Sequence, residues 1–246
     1  FPFVSVQTPW AKQFLDDQAN LLSRPVITGP LLYSKPRSVG ETFRLRKRLF
    51  PLNYNKKIIL HAASPFGWHV FHPFVNLTHD EYVMHINDLI RSIDELSNVF
   101  LAIRIRLKSF NGMSLEDVKA LFVRSERYEI YTEGSFEEYL LCSDLLVSFS
   151  STTIEEALQV RVPVLQYDPF DRYSHIPTAK MDKNVAHQIS PVYYVTTFRD
   201  LSWSLDWVVT NHLDIPDSQS LVDWRPHIID FPENWLAPIL GDNDQP

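Results

Sequence analysis

The chain has 246 residues, is 45% hydrophobic and 22% charged, and carries a formal net charge of −7. This is a globular composition with enough length for a sizeable core, and the acidic balance argues against a nucleic-acid partner. A single cysteine, Cys142, excludes an internal disulfide framework and suits a reducing, cytoplasmic setting.

No run of about 18 apolar residues is present to span a bilayer, and FPFVSVQ lacks the basic start and apolar stretch of a signal peptide. VSV (4–6) reads as a short strand. TPWAKQFLDDQANLL then reads as a helix, with Pro9 at its first position. RPVITGP is a second short strand, and residues 31–40 read as linker. ETFRLRKRLF is a basic amphipathic helix stopped by Pro51, and KKIILHAAS is a buried strand. The helix over 78–96 opens on a capping box, Thr78 with Glu81. It repeats Val83, Ile86, Leu89, Ile90, Ile93 and Leu96 at helical spacing. VFLAIRI (strand), SLEDVKALF (helix), YEIYTEG (strand), SFEEYLL (helix) and DLLVSF (strand) follow. TTIEEALQ (helix), VPVLQY and VYYVT (strands) and FRDLSWSLDWVV (helix) complete the pattern. Strands and helices thus alternate from about 57 to 209, which predicts an α/β domain, a parallel sheet with helices on both faces. The predicted boundaries are 1–30, 31–215 for the sheet domain, and 216–246 for an irregular tail packed on it.

In such a sheet, ligands bind beyond the carboxyl ends of the strands. SFSSTT (148–153) occupies that position, between a strand and a helix. Two readings of its hydroxyls compete. They cap the helix, as Ser and Thr commonly do, or Ser150, Ser151 and Thr152 add donors to a helix N-terminus that takes phosphate. Glu155 and Glu156 divide the same way, between first-turn acids that suit the helix dipole and an acceptor for ribose hydroxyls.

Residues 143–168, SDLLVSFSSTTIEEALQVRVPVLQYD, resemble the donor-binding stretch in the C-terminal half of GT-B glycosyltransferases that build bacterial surface carbohydrates such as capsule and lipopolysaccharide. Ser143-Asp144, the Ser148–Thr153 loop, Glu156-Ala157 and Pro163-Val164 carry the match. As an order of elements the resemblance extends over roughly 25–210 of the chain, and it implies a Rossmann-like fold. The implied roles are phosphate binding at Ser150, Ser151 and Thr152, and ribose binding at Glu156. Serine pairs in that loop are similar to those of transferases using CMP-activated sugars. The chain departs from the pattern at Gln159-Val160-Arg161-Val162, where a small residue is usual. It departs again at Arg104 and Arg106, which stand where many members read Arg-Pro-His-Pro. Arg106 then takes over the charge on the leaving phosphate as the catalytic candidate, and Arg104 joins the donor site.

Other candidates lie in loops at strand ends. Ser64, Gly67 and His69 read either as donor-site lining or as part of an aromatic loop packed on the linker. His61, His69 and His72 fall within twelve residues, but no Cys or nearby acid joins them, so no metal is expected. Asp168, Arg172, Tyr173 and His175 read as donor contacts or as an Asp-Pro turn with an ion pair. The basic RLRKR (44–48) is either a solvated face or a peripheral membrane contact for a lipid-linked acceptor. The functional expectation is a cytoplasmic, metal-independent glycosyltransferase half that uses a nucleotide-sugar as substrate and no cofactor. Residues 1–30 would be the remnant of an N-terminal domain that, with the rest of it missing here, would bring the glycan or glycolipid acceptor. The alternatives are a nucleotide-sugar epimerase of the same architecture and a non-catalytic nucleotide-sugar-binding module.

Overall fold

The computed structural model describes residues 3–6, 9–17, 22–28, 38–62, 78–105, 112–149 and 151–228. The chain divides into two compact units, Phe1–Lys35 with Arg225–Pro246, and Pro36–Trp224. Against the expected boundaries at 30 and 215, the division falls at 35 and 224, and residues from Arg225 onward group with the first unit.

In the first unit β1 (Phe3–Val6) and β2 (Arg24–Ile27) pair in parallel around α1 (Pro9–Asp16). The hydroxyls of Ser5 and Thr28 meet at 2.6 Å beside this pair.

The second unit runs α2 (Val39–Leu49), β3 (Lys57–Ala62), α3 (His79–Asp94), β4 (Val99–Arg104), α4 (Leu115–Ala120) and β5 (Tyr128–Tyr131). It continues with α5 (Phe136–Leu141), β6 (Leu145–Ser148), α6 (Thr153–Gln159), β7 (Val164–Tyr167), β8 (Val192–Val195) and α7 (Phe198–Val208). The six strands form one wholly parallel sheet in the order β5-β4-β3-β6-β7-β8. Strands covered on both faces need apolar side chains at every position rather than at alternate ones, which is why KIILHA and VFLAIR read as continuous apolar runs. Pleating then divides them. Ile59, Leu101, Ile103, Leu145, Val147, Leu165, Tyr193 and Val195 join a core with Ile86, Leu89, Ile90 and Ile93 of α3, Val118 of α4 and Leu201, Leu205 and Val208 of α7. The alternate residues, such as Ile58, Leu60, Phe100 and Leu146, are equally buried. They lie on the opposite face with α2, α5 and α6. There the ring of Phe50, closing α2, meets Phe100 and Tyr139 of α5 edge-on at 6.2 and 6.0 Å.

Helix ends follow local chemistry. Ser38, Thr78, Ser114 and Thr197 cap α2, α3, α4 and α7 through their side chains, the first three as full capping boxes. On α3 the buried stripe begins at Tyr82 rather than Val83, which is only partly covered. At the end of α6 the amide of Val162 donates to the Ala157 carbonyl at 2.8 Å and that of Arg161 to Leu158 at 3.1 Å. These are the two bonds of a Schellman motif. Arg161 therefore occupies the left-handed position, φ 62°, that glycine usually fills. The Asp144 of the resemblance is structural. It stands at the amino end of β6, where its carboxylate accepts from both terminal nitrogens of Arg46 (3.2 and 2.6 Å) and from the Ile58 amide at 2.7 Å. The helix α2 is thereby tied to the two central strands.

Candidate functional site

In this strand order β4 and β5 extend the sheet to one side of β3, and β7 and β8 extend it to the other side of β6. The reversal lies between β3 and β6, which pair at Ile59↔Leu145, Leu60↔Leu146 and His61↔Val147. Renumbered within the sheet this is 3-2-1-4-5-6, the dinucleotide-fold order, and its switch point is where a crevice opens beyond the strand ends. The chain leaves β3 for α3 on one face and β6 for α6 on the other. SFSSTT therefore begins at the end of β6, one of the two strands that meet at the reversal.

The described residues of that segment are arranged as follows. Ser151 accepts from the Thr153 amide at 3.3 Å through its hydroxyl, and its carbonyl accepts from Ile154 at 3.0 Å. Thr152 occupies the N-cap but is exposed and makes no side-chain cap bond, a trait α6 shares with α5. Ser148 and Thr153 hold hydroxyl oxygens that are buried without a hydrogen-bond partner. Ser151 thus supports the turn that leads into α6, and no side chain caps the helix. Glu156 is half-buried in the first turn. Its neighbour Glu155 accepts from His175 Nε2 at 2.7 Å, a pairing that sequence reading missed. Ser150, the β3-loop candidates Ser64, Gly67 and His69, and Arg106 lie outside the described residues.

The loop after β7 supplies the second group of polar residues. Asp168 is fully buried and accepts from the amides of Phe170 (3.0 Å), Arg172 and Tyr173 (2.9 Å), so its role here is to shape the turn. Arg172 reaches Glu81, in the first turn of α3, at 3.3 Å. Its guanidinium lies 4.4 Å from the centre of the Phe170 ring and 5.8 Å from that of Phe149. Arg104, at the end of β4, donates to the carbonyls of Ile105, Tyr131 (3.2 Å) and Gly134 (2.8 Å), so its guanidinium binds the ends of β4 and β5 together.

Beneath the crevice runs a buried polar row. His61 donates from Nδ1 to the Val147 carbonyl at 3.0 Å, and its ring centre lies 5.3 Å from that of His85, which in turn lies 4.8 Å from Tyr167. Tyr167 donates to Asp88 at 2.9 Å. Burial lowers His61 to about 4. Burial, helped by the neighbouring His61, holds His85 well below the usual imidazole range. Both rings are neutral at pH 7, and Asp88 is shifted upward by burial. Helical spacing places Tyr82, His85 and Asp88 toward the sheet, but nothing in the sequence pairs them with His61. Among the described residues no group of three or more His, Cys, Asp or Glu is placed to hold a metal ion. No helix among them is long and apolar enough to cross a membrane.

The architecture is the Rossmann-like α/β arrangement of GT-B proteins. Among solved structures, the wall teichoic acid polymerase TagF superposes with a TM-score of 0.52 at 14% identity, over 98% of this chain and 57% of that one. A TagF form soaked with CDPG gives a TM-score of 0.53 at 13% identity, over 98% and 56%. A putative UDP-N-acetylglucosamine 2-epimerase from Listeria monocytogenes gives 0.52 at 14% identity, over 95% and 55%. At these identities the likeness is one of fold, and the chain spans a little over half the length of the structures it matches. No protein-family model matches the chain, and no curated protein does.

Proposed function

We propose that this chain binds the nucleotide-sugar donor of a metal-independent glycosyltransferase acting in bacterial surface polysaccharide synthesis. One observation carries the reading: the hydroxyl-rich loop that resembles a donor site in sequence coincides with the switch point of the sheet. In the proposed mode Ser151 and Thr152, with Ser150, hold the donor's phosphate, and Glu156 accepts from its ribose. Basic side chains and the first turns of α3 and α6 meet the charge that develops on the departing phosphate, the role that metal plays in other transferases. Arg106 is the proposed catalytic cation. The acceptor, a glycan or glycolipid, would be brought by a further domain.

A thermal-shift panel of CMP, CDP, UDP and GDP, followed by calorimetry, tests this. The CDPG soak of TagF and the serine pair put cytidine nucleotides first. A saturable shift for at least one nucleotide is expected, and no shift with any would overturn the reading. The fold match to the putative epimerase favours a second reading. Incubating the protein as it occurs in the cell with UDP-N-acetylglucosamine decides between them: an epimerised nucleotide-sugar means epimerase, and sugar moved to an acceptor means transferase.

A further inference from the structure

The loop after β7 touches both helices that open on the crevice, and its two attachments are unequal. On the α6 side, His175 donates to Glu155 at 2.7 Å, a close hydrogen bond. On the α3 side, Arg172 approaches Glu81 through three separations, all of 3.3 Å, which is long for such a pair. Glu81 is already engaged, since its Oε2 accepts from the Thr78 amide at 2.9 Å to complete the α3 cap. The root of Arg172, by contrast, is fixed. Asp168 accepts from its amide and from those of Phe170 and Tyr173, and the ring of Phe170 supports the guanidinium at 4.4 Å. A five-donor planar cation is therefore held on a rigid base between Glu81 and Phe149, the residue that opens the hydroxyl loop, with its present partner only loosely met.

We propose that Arg172 is an anion latch: it rests on Glu81 and transfers to the diphosphate of a nucleotide donor, so that Glu81 sets the donor affinity by competing for the same guanidinium. This rests on the nucleotide-sugar reading above. No covalent bond is made or broken in the exchange. One charge-assisted pair replaces another, and Glu81 keeps its bond to Thr78.

Calorimetry in EDTA with CDP, UDP, GDP, their nucleosides and inorganic pyrophosphate tests it. Arg172→Ala should weaken diphosphate binding at least tenfold and leave the nucleoside within twofold. Arg172→Lys, which keeps the charge and loses the fork, should fall between. Glu81→Gln retains an acceptor for the cap and should tighten diphosphate and pyrophosphate binding severalfold, while the double variant should match Arg172→Ala. Melting temperatures within a few degrees of the parent establish that each variant is folded. Diphosphate affinities unchanged in Arg172→Ala and Glu81→Gln, or weakened in Glu81→Gln, would overturn the latch. A parent chain that binds nucleosides but no diphosphate would overturn it too, while leaving the nucleotide site standing. A parent chain that binds neither would sink both readings.

Discussion

Ser151 and Glu156 give the donor site its sharpest contrast. A hydrogen bond to a charged group contributes roughly 1.5–3 kcal/mol, so Ser151→Ala should raise the nucleotide dissociation constant about tenfold or more and leave the nucleoside unaffected. Glu156→Gln keeps the shape but weakens acceptance from ribose, so it should weaken both ligands. Calorimetry with CMP and cytidine reads the difference. Unchanged affinities in both variants would reduce the loop to a helix start. A second expectation concerns protons. Burial holds at about 4 both His61 and His212, a buried residue after α7 whose Nδ1 meets the Tyr193 hydroxyl at 2.8 Å, and in the unfolded chain they titrate near 6.5. Between those values the unfolded state binds protons that the native state refuses, so stability is flat above about pH 6.5 and falls as pH drops toward 4. Each histidine should remove about 2 kcal/mol by pH 5, seen as a melting temperature that declines below pH 6.5. His61→Gln should flatten part of that decline. At this scale the hydroxyl run was legible because its signal is contiguous. The pairing of Arg172 with Glu81, 91 residues apart, and of His175 with Glu155 was not, because side-chain partnership across a crevice leaves no local pattern.

Among the elements, α6 ends on a residue in the wrong shape for its position. A non-glycine residue in the left-handed region costs roughly 1–2 kcal/mol, and Arg161 sits there with φ 62°. Arg161→Gly should therefore stabilise the protein by about 1 kcal/mol, less what glycine's freedom adds to the unfolded chain. Chemical denaturation should show a higher midpoint at unchanged slope. The opposite is expected of Asp144→Ala. It leaves Arg46, only 16% exposed, without its carboxylate, and removing one partner of a largely buried pair costs about 3 kcal/mol. The departure noted in the sequence at Gln159–Val162 thus has a backbone meaning, while of the Ser-Asp match at 143–144 Asp144 ties α2 to the central strands and the Ser143 hydroxyl donates to the Tyr139 carbonyl of α5. The type of each strand and α-helix was readable because periodicity and caps are local, whereas the short helical turns at Val209–Leu213 and Ser218–Leu221, the second inside the stretch expected to be irregular, were not. The inward turn of Tyr82 in place of Val83 was not, since both fit the same helical stripe. Strand order was not written locally either. Alternation predicts a parallel sheet, and only the pairing of β3 with β6 shows where the order reverses.

For the molecule as a whole, the proposed donor site belongs to the six-stranded sheet found among the described residues. The proposed function predicts saturable nucleotide binding by the 246-residue chain, and no binding of any nucleotide would contradict it. Binding should also persist in EDTA. Loss on chelation with recovery in Mg²⁺ or Mn²⁺ would place a metal in the site.

The reversal between β3 and β6 has a consequence for how the chain is made. Each half of the sheet is assembled from neighbours in sequence, β3 to β5 and then β6 to β8, and only the β3–β6 seam joins distant segments, with His61 and Val147 separated by 86 residues. Loop-closure entropy makes such a pairing late and slow. During synthesis the Ile59–His61 edge of β3 therefore waits for its partner, a strand edge open to wrong pairing in the meantime. The crevice exists only once that seam has closed. A ligand bound there holds together the pairing that forms last, so nucleotide should slow hydrogen exchange at Ile59 and His61 more than at the outer strands, and should speed recovery from denaturant if added while the seam is still forming.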